Sequence, residues 1–162
     1  MNRMEGREKL RETSDQFAEQ LSEGERIQED GEQSDQILQG MELDGLDSDT
    51  QQAAGEVLNE YSDTYNQAIG EVAEQVEGTA DTAQGHIESL DESRSKVERN
   101  AERYAEAAGI SDLGRGSAEA GRNKMESDSQ EYSELIGENE QAIQESRESA
   151  KQMQSVISGL FG

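Results

Sequence analysis

Residues 54–108 read AGEVLNEYSDTYNQAIGEVAEQVEGTADTAQGHIESLDESRSKVERNAERYAEAA. Within this stretch Ala54, Leu58, Tyr61, Tyr65, Ala68, Val72, Val76 and Thr79 follow one another at steps of three or four residues. Ala83, Ile87, Leu90, Arg94, Val97, Ala101, Tyr104 and Ala108 continue the same series. Sixteen positions span 108 − 54 = 54 residues in fifteen steps, a mean of 3.6. That is the period of an α-helix with one stripe turned to a core. A stripe kept in phase for so long predicts an all-α fold built on one long middle helix.

Both flanks repeat the pattern. Leu10, Phe17, Leu21, Gly24, Gly31 and Leu38 form a seam over residues 3–39, with Ile27 and Ile37 beside it. A second seam runs from Ala118 and Gly121 through Met125, Tyr132, Leu135, Ile136, Asn139 and Ile143, then Ala150, Met153, Ile157 and Leu160. Between the first two helices, residues 40–49 form a glycine- and aspartate-rich turn. Ser48 with Gln51, or Asp49 with Gln52, offers a capping box. Gly109 reads as the stop of the middle helix and Ser117 as the cap of the last. The expected architecture is an elongated antiparallel bundle of three long helices, about 3–39, 50–108 and 117–160, in one domain spanning 1–162. At 1.5 Å per residue the helices would measure roughly 55, 85 and 65 Å. A break among Gly78, Thr79, Thr82 and Gly85 would make the helices four; the unbroken phase favours three.

Composition agrees with a slender bundle. Only 30% of the 162 residues are hydrophobic and 4% aromatic, and the formal net charge is −24. Such numbers also describe disordered chains, but disorder gives no reason to keep apolar residues in phase. There is no proline to break a helix and no cysteine for a disulfide or thiolate site. No apolar run approaches the ~18 residues of a membrane span, and no signal-peptide core is present. The expectation is a soluble chain, in the cytoplasm or exported without a cleavable signal, and not inserted in a membrane.

Charge is unevenly spread. Residues 27–93 hold eighteen acidic side chains and no lysine or arginine. Seven of the fourteen basic residues then fall between Arg94 and Lys124, among five acidic ones. The acidic half disfavours nucleic acid and anionic lipid as partners. Complementary charge steers association, so the same map selects among protein partners.

No chemistry emerges from the reactive residues. His86 is the only histidine, and without cysteine or a second histidine it makes a poor metal site. No serine has a base placed beside it or a nucleophile-elbow context. The aspartates at 44, 47 and 49 fail calcium-loop spacing, because Gln52 and Leu58 stand where glycine and glutamate are needed. Gly116 and Gly121 have phosphate-loop spacing but are followed by Arg122-Asn123. Glutamate pairs such as Glu71 with Glu74, or Glu138 with Glu145, lack the inward Glu-x-x-His partners of a carboxylate metal bundle. No catalytic residue, cofactor, metal or small-molecule substrate is therefore expected.

At the first turn, Leu43-Asp44-Gly45 sits between two long helices. A helical hairpin with leucine or an aromatic residue, any residue, then glycine at its turn resembles the WXG/LXG-like proteins of type VII secretion. The resemblance covers about residues 1–108. It implies pairing with a second helical hairpin and passage through the secretion machine, sometimes as the leading part of a toxin. The chain has no tryptophan, and its four tyrosines are followed at the fourth position by Tyr65, Ile69, Ala108 and Ile136. No Tyr-x-x-x-Asp/Glu export signal exists, so a partner would have to supply one. The expected function is a non-enzymatic module binding another helical protein, or itself, through Leu43, Gly45, Ile157, Leu160 and Phe161. The alternative is a coiled-coil-like scaffold or spacer.

Overall fold

Three helices account for nearly all of the chain. The computed structural model describes residues 1–41, 45–110 and 115–162. Helix α1 is Arg3–Gln39, α2 is Ser48–Ile110 and α3 is Arg115–Ser158, and no strand occurs among the described residues. The fold is all-α. The middle helix runs unbroken through Gly78 and Gly85, where a Cβ would meet nothing within 4 Å. These glycines lie on an exposed face and lower helix propensity without bending the helix. The four-helix alternative does not occur.

Helix ends follow local hydrogen bonding, and here the structure corrects the reading of the turns. Asn2 opens α1: its Oδ1 accepts from the Glu5 amide at 2.8 Å, and its own side-chain and backbone nitrogens reach back to the Glu5 carboxylate. Asp47, rather than Ser48 or Asp49, caps α2; its Oδ1 accepts from the Thr50 amide at 2.7 Å. That bond draws the Asp47 carboxyl below its usual range. Asp47 wins because its side chain reaches the third helical amide, which is what an N-cap must satisfy. The helix then passes Gly109 by one residue, and α3 begins at Arg115, with Ser117 already in its first turn.

The chain divides into two compact units. One comprises Met1–Ser14 with Ala80–Ile143, the other Asp15–Thr79 with Gln144–Gly162. Each contains a piece of all three helices.

In the first unit, Gly6 on α1 faces Leu90 of α2 and Leu135 of α3, so close that an added Cβ would lie 2.7 Å from a Leu90 methyl. Arg3 pairs with Asp128 at 3.1 Å and with Glu131. Arg94 donates to Ser133, and Ser129 to Glu98. The rising α2 numbers therefore meet falling α3 numbers, and the two helices are antiparallel. Ala80, Ala83, Ile87 and Leu90 supply the buried face of α2. Two buried polar residues join this core. Thr13 donates its hydroxyl to the Lys9 and Leu10 carbonyls. Asn139, 0% exposed, donates to the Leu135 carbonyl at 2.8 Å, while its Oδ1 is without a hydrogen-bond partner.

In the second unit, Ile69, Val72, Met153 and Ile157 form the centre, with Leu21, Ile27, Tyr65 and Leu160 packed around them. Gly24 lies against Met153, Val72 and Ile69; Gly31 lies against Ile157, Leu160 and Tyr65. So α1 and α3 run parallel here, with α2 antiparallel to both. The small residues of the α1 seam let larger side chains from the other two helices reach in. Polar residues again link α1 and α2: Gln20 and Thr79 exchange hydrogen bonds at 2.7 and 3.1 Å, and Ser34 bonds the Tyr65 hydroxyl at 3.0 Å. Each polar group is paired, so its burial carries little desolvation cost.

Candidate partner-binding site

The expected site residues separate into an internal group and an exposed one. Ile157 is 0% exposed, at the centre of the second unit's core. Leu160 is half-buried against the same cluster. Both therefore serve this chain's own packing and offer little surface, which corrects the expectation of an apolar end presented to a partner. The physical reason is Gly31, whose missing side chain leaves the space that Ile157 and Leu160 fill.

Phe161 is positioned with unusual care. After Ser158 the chain leaves the helix through Gly159, whose amide still bonds the Ser155 and Val156 carbonyls. Phe161 then takes a left-handed φ of 63°. An aromatic residue there costs free energy, of order 1 kcal/mol. Two interactions offset it: the Phe161 amide donates to Asp35 Oδ1 at 2.9 Å, and the ring stacks on Tyr61 and Tyr65 with centroids 6.1 and 5.7 Å away. Tyr61 and Tyr65 stack on one another as well.

This layer of three rings marks where α3 stops contributing to the second unit. Past it, α1 and α2 continue toward their turn, and no α3 residue lines the cleft they form. That cleft has a volume of about 450 Å³. Its walls are Leu38 at the end of α1, Met41 just beyond it, Leu46 before α2, and Ala53, Val57 and Leu58 from the start of α2. Met41 is 56% exposed and its neighbour Ile37 68%. Leu46, Val57 and Tyr61 are also exposed. A residue scattered singly on a surface needs no explanation, but a continuous apolar patch marks a place where something binds. Sequence reasoning missed this cleft, although Leu58, Leu38 and Ile37 stood in or beside the seams. What it lacked was the level at which α3 ends. Gly45, next in the chain to the lining residue Leu46, is exposed, with a φ of 92° that favours glycine. Leu43 lies outside the described residues.

Every charged residue on the first turns of α2 is acidic. Asp49, Glu56, Glu60 and Asp63 are exposed on the first turns of α2. Helices α1 and α3 both end in this region, and neither carries a basic residue in its last turn. The partial negative charge of each helix C-terminus is thus left without a neighbouring cation on its own helix.

The first unit offers a different surface. A groove of about 460 Å³ lies between α2 and α3, lined by Glu98, Glu102, Arg122, Glu126 and Ser129 over Ala101 and Ala105. Its lining is polar and of mixed charge. Gly121 beside it takes the Tyr104 ring against its backbone. His86 is half-buried, and its Nδ1 is buried without a hydrogen-bond partner. Burial, and then the positive charge of Lys9, hold its pKa below the usual histidine value against the smaller pull of Glu12. No group of three potential metal ligands occurs among the described residues. No helix of the described residues is long and apolar enough to cross a membrane.

Comparison of the chain with protein-family models, with curated proteins and with solved structures finds no match.

Proposed function

We propose that this chain is a non-enzymatic helical interaction module that binds another helical protein through the cleft between the end of α1 and the start of α2. One observation carries the reading: Leu38, Met41, Leu46 and Val57 line an apolar cleft to which α3 contributes no residue. The helices meet the solvent there with the kind of side chains that they bury elsewhere in the same unit. Burial of such surface is worth about 25 cal/mol per Å² and is what would draw an apolar helix face into the cleft.

The resemblance at Leu43-Asp44-Gly45 gives the proposal its specific form, a type VII secretion-associated substrate or partner protein. It is supported by the antiparallel α1–α2 hairpin on either side of the turn. A scaffold or spacer is the second reading, favoured by the 63-residue length of α2.

Capture experiments separate the two. Tagged full-length chain should retain one partner in stoichiometric amount, and Val57→Asp or Met41→Asp should each abolish that retention while circular dichroism stays unchanged. Recovery of no stoichiometric partner would leave the scaffold reading. A partner retained equally by both variants would move the binding site away from the cleft.

A further inference from the structure

We infer that the occupant of the cleft is a single amphipathic helix of another protein whose apolar stripe is flanked by lysine or arginine. The inference rests on the docking reading above and adds the chemistry of the partner.

The shape of the vacancy suggests a helix. Elsewhere in the second unit, α1 and α2 are accompanied by a third helix, with Ile157 and Leu160 against Gly31 and Phe161 against Tyr61 and Tyr65. Beyond those contacts α2 extends back from Glu60 to Ser48, thirteen residues, without α3 lining the cleft. At 1.5 Å per residue this is roughly 20 Å, room for a helix of three to four turns. Val57 and Leu58 on one wall and Leu38 and Met41 on the other present the side chains that an i, i+3, i+4, i+7 stripe packs against.

The sign of the partner's charge follows from two independent features. On the early turns of α2, which wall the cleft, the charged side chains Asp49, Glu56, Glu60 and Asp63 are exposed, within a stretch of sixty-seven residues (27–93) that lacks any lysine or arginine. Added to these are the C-termini of α1 and α3, both without a basic residue in the last turn. The acidic start of α2 and the two helix ends thus both favour cations at this end of the unit. A second copy of this chain is a poor occupant, since each copy carries a net charge of −24 and would bring its own acidic surround.

The test uses the full-length chain and three fluorescein-labelled peptides of about 18 residues. One has a leucine stripe flanked by lysines, one the same stripe flanked by glutamates, and one the lysine composition in scrambled order. Anisotropy titration should show the lysine-flanked peptide binding at least roughly tenfold tighter than either other, with affinity falling as salt is raised to about 0.5 M. Val57→Asp should remove that binding. The triple variant Asp49→Asn, Glu56→Gln, Glu60→Gln alters only exposed side chains and should abolish the preference for lysine over glutamate. Equal binding of the lysine- and glutamate-flanked peptides, both sensitive to Val57→Asp, would overturn the charge inference while leaving the docking reading intact. Equal binding of the scrambled peptide, or no binding of the lysine-flanked one, would overturn the amphipathic helix as occupant. Sedimentation showing a dimer that Val57→Asp dissociates would make a second copy the occupant and overturn it too.

Discussion

Gly24 and Gly85 are both helical glycines, yet alanine should have opposite effects at the two. In a helix interior alanine is favoured over glycine by about 1 kcal/mol. At Gly85 a Cβ would meet nothing within 4 Å, so the whole of that gain should appear as stability. At Gly24 the added Cβ would lie 2.5 Å from Met153 Sδ and 3.3 Å from Val72 Cγ1. Met153 is itself in the core with Ile69 and Ile157, so its sulfur must move by about 1 Å against buried neighbours. Overpacking of this kind costs about 1–3 kcal/mol, which outweighs the propensity gain or cancels it. The expected result is a rise of about 1 kcal/mol for Gly85→Ala and a loss of about 0–2 kcal/mol for Gly24→Ala. For a chain of this size each kcal/mol moves the melting temperature by about 2–4 °C. Thermal and urea unfolding followed by circular dichroism at 222 nm would measure both. A double-mutant cycle adds a sharper check: shortening the neighbour by Met153→Ala should reduce the penalty of Gly24→Ala, giving a favourable coupling. If Gly24→Ala stabilises the protein as much as Gly85→Ala does, the close approach of the helices at Gly24 is not what the glycine serves.

Three further outcomes follow from the polar groups. Burial and Lys9 lower the His86 pKa in the fold, so its contribution is present above the unfolded histidine pKa and is lost as pH falls through that value toward the lower folded one; the urea midpoint of the wild type should drop between pH 7 and pH 5 more than that of His86→Gln. The lowered pKa of Asp47 means stability present above the usual aspartate range and lost as pH falls through its depressed folded value. Asp47→Asn should keep the cap without that pH dependence, and Asp47→Ala should destabilise α2 at neutral pH, both read by thermal melts across pH 2–7. Asn139→Leu removes a buried Oδ1 that lacks a hydrogen-bond partner and should raise the melting temperature, by an amount corresponding to about 1 kcal/mol or more; a fall would mean that this oxygen is satisfied in solution.

The apolar seams were legible because burial leaves a periodic trace. Val72, Val76, Ala83, Ile87 and Leu90 stand in the sequence as they stand in the cores of the two units. Ile69 and Ala80, buried one residue past the seam positions Ala68 and Thr79, escaped it, and so did several polar residues. Thr13 and Ser146 are buried, and Gln20 and Ser34 of α1 bond side chains of α2, but these residues carry no hydrophobic signal. Their places in the core depend on partners such as Thr79 and Tyr65 from another helix, which spacing within one helix cannot disclose. Gly6 was missed for a related reason, since a close approach is decided by Leu90 and Leu135 and not by the glycine. The cap at Asp47 competed with Ser48 and Asp49, all good capping residues, and only the reach to the Thr50 amide distinguished them. Ile157 and Leu160 showed that an apolar end is ambiguous until its neighbours are known, because a core and a docking surface ask for the same side chains.

The ring layer at the end of α3 has a practical consequence for watching this protein work. The chain contains four tyrosines and no tryptophan, so its near-ultraviolet optical signal comes almost entirely from tyrosine. Half of those chromophores, Tyr61 and Tyr65, are stacked with Phe161 beside the cleft. The molecule therefore carries its own label at the place where an event is expected, and an occupant can be followed there without attaching a dye.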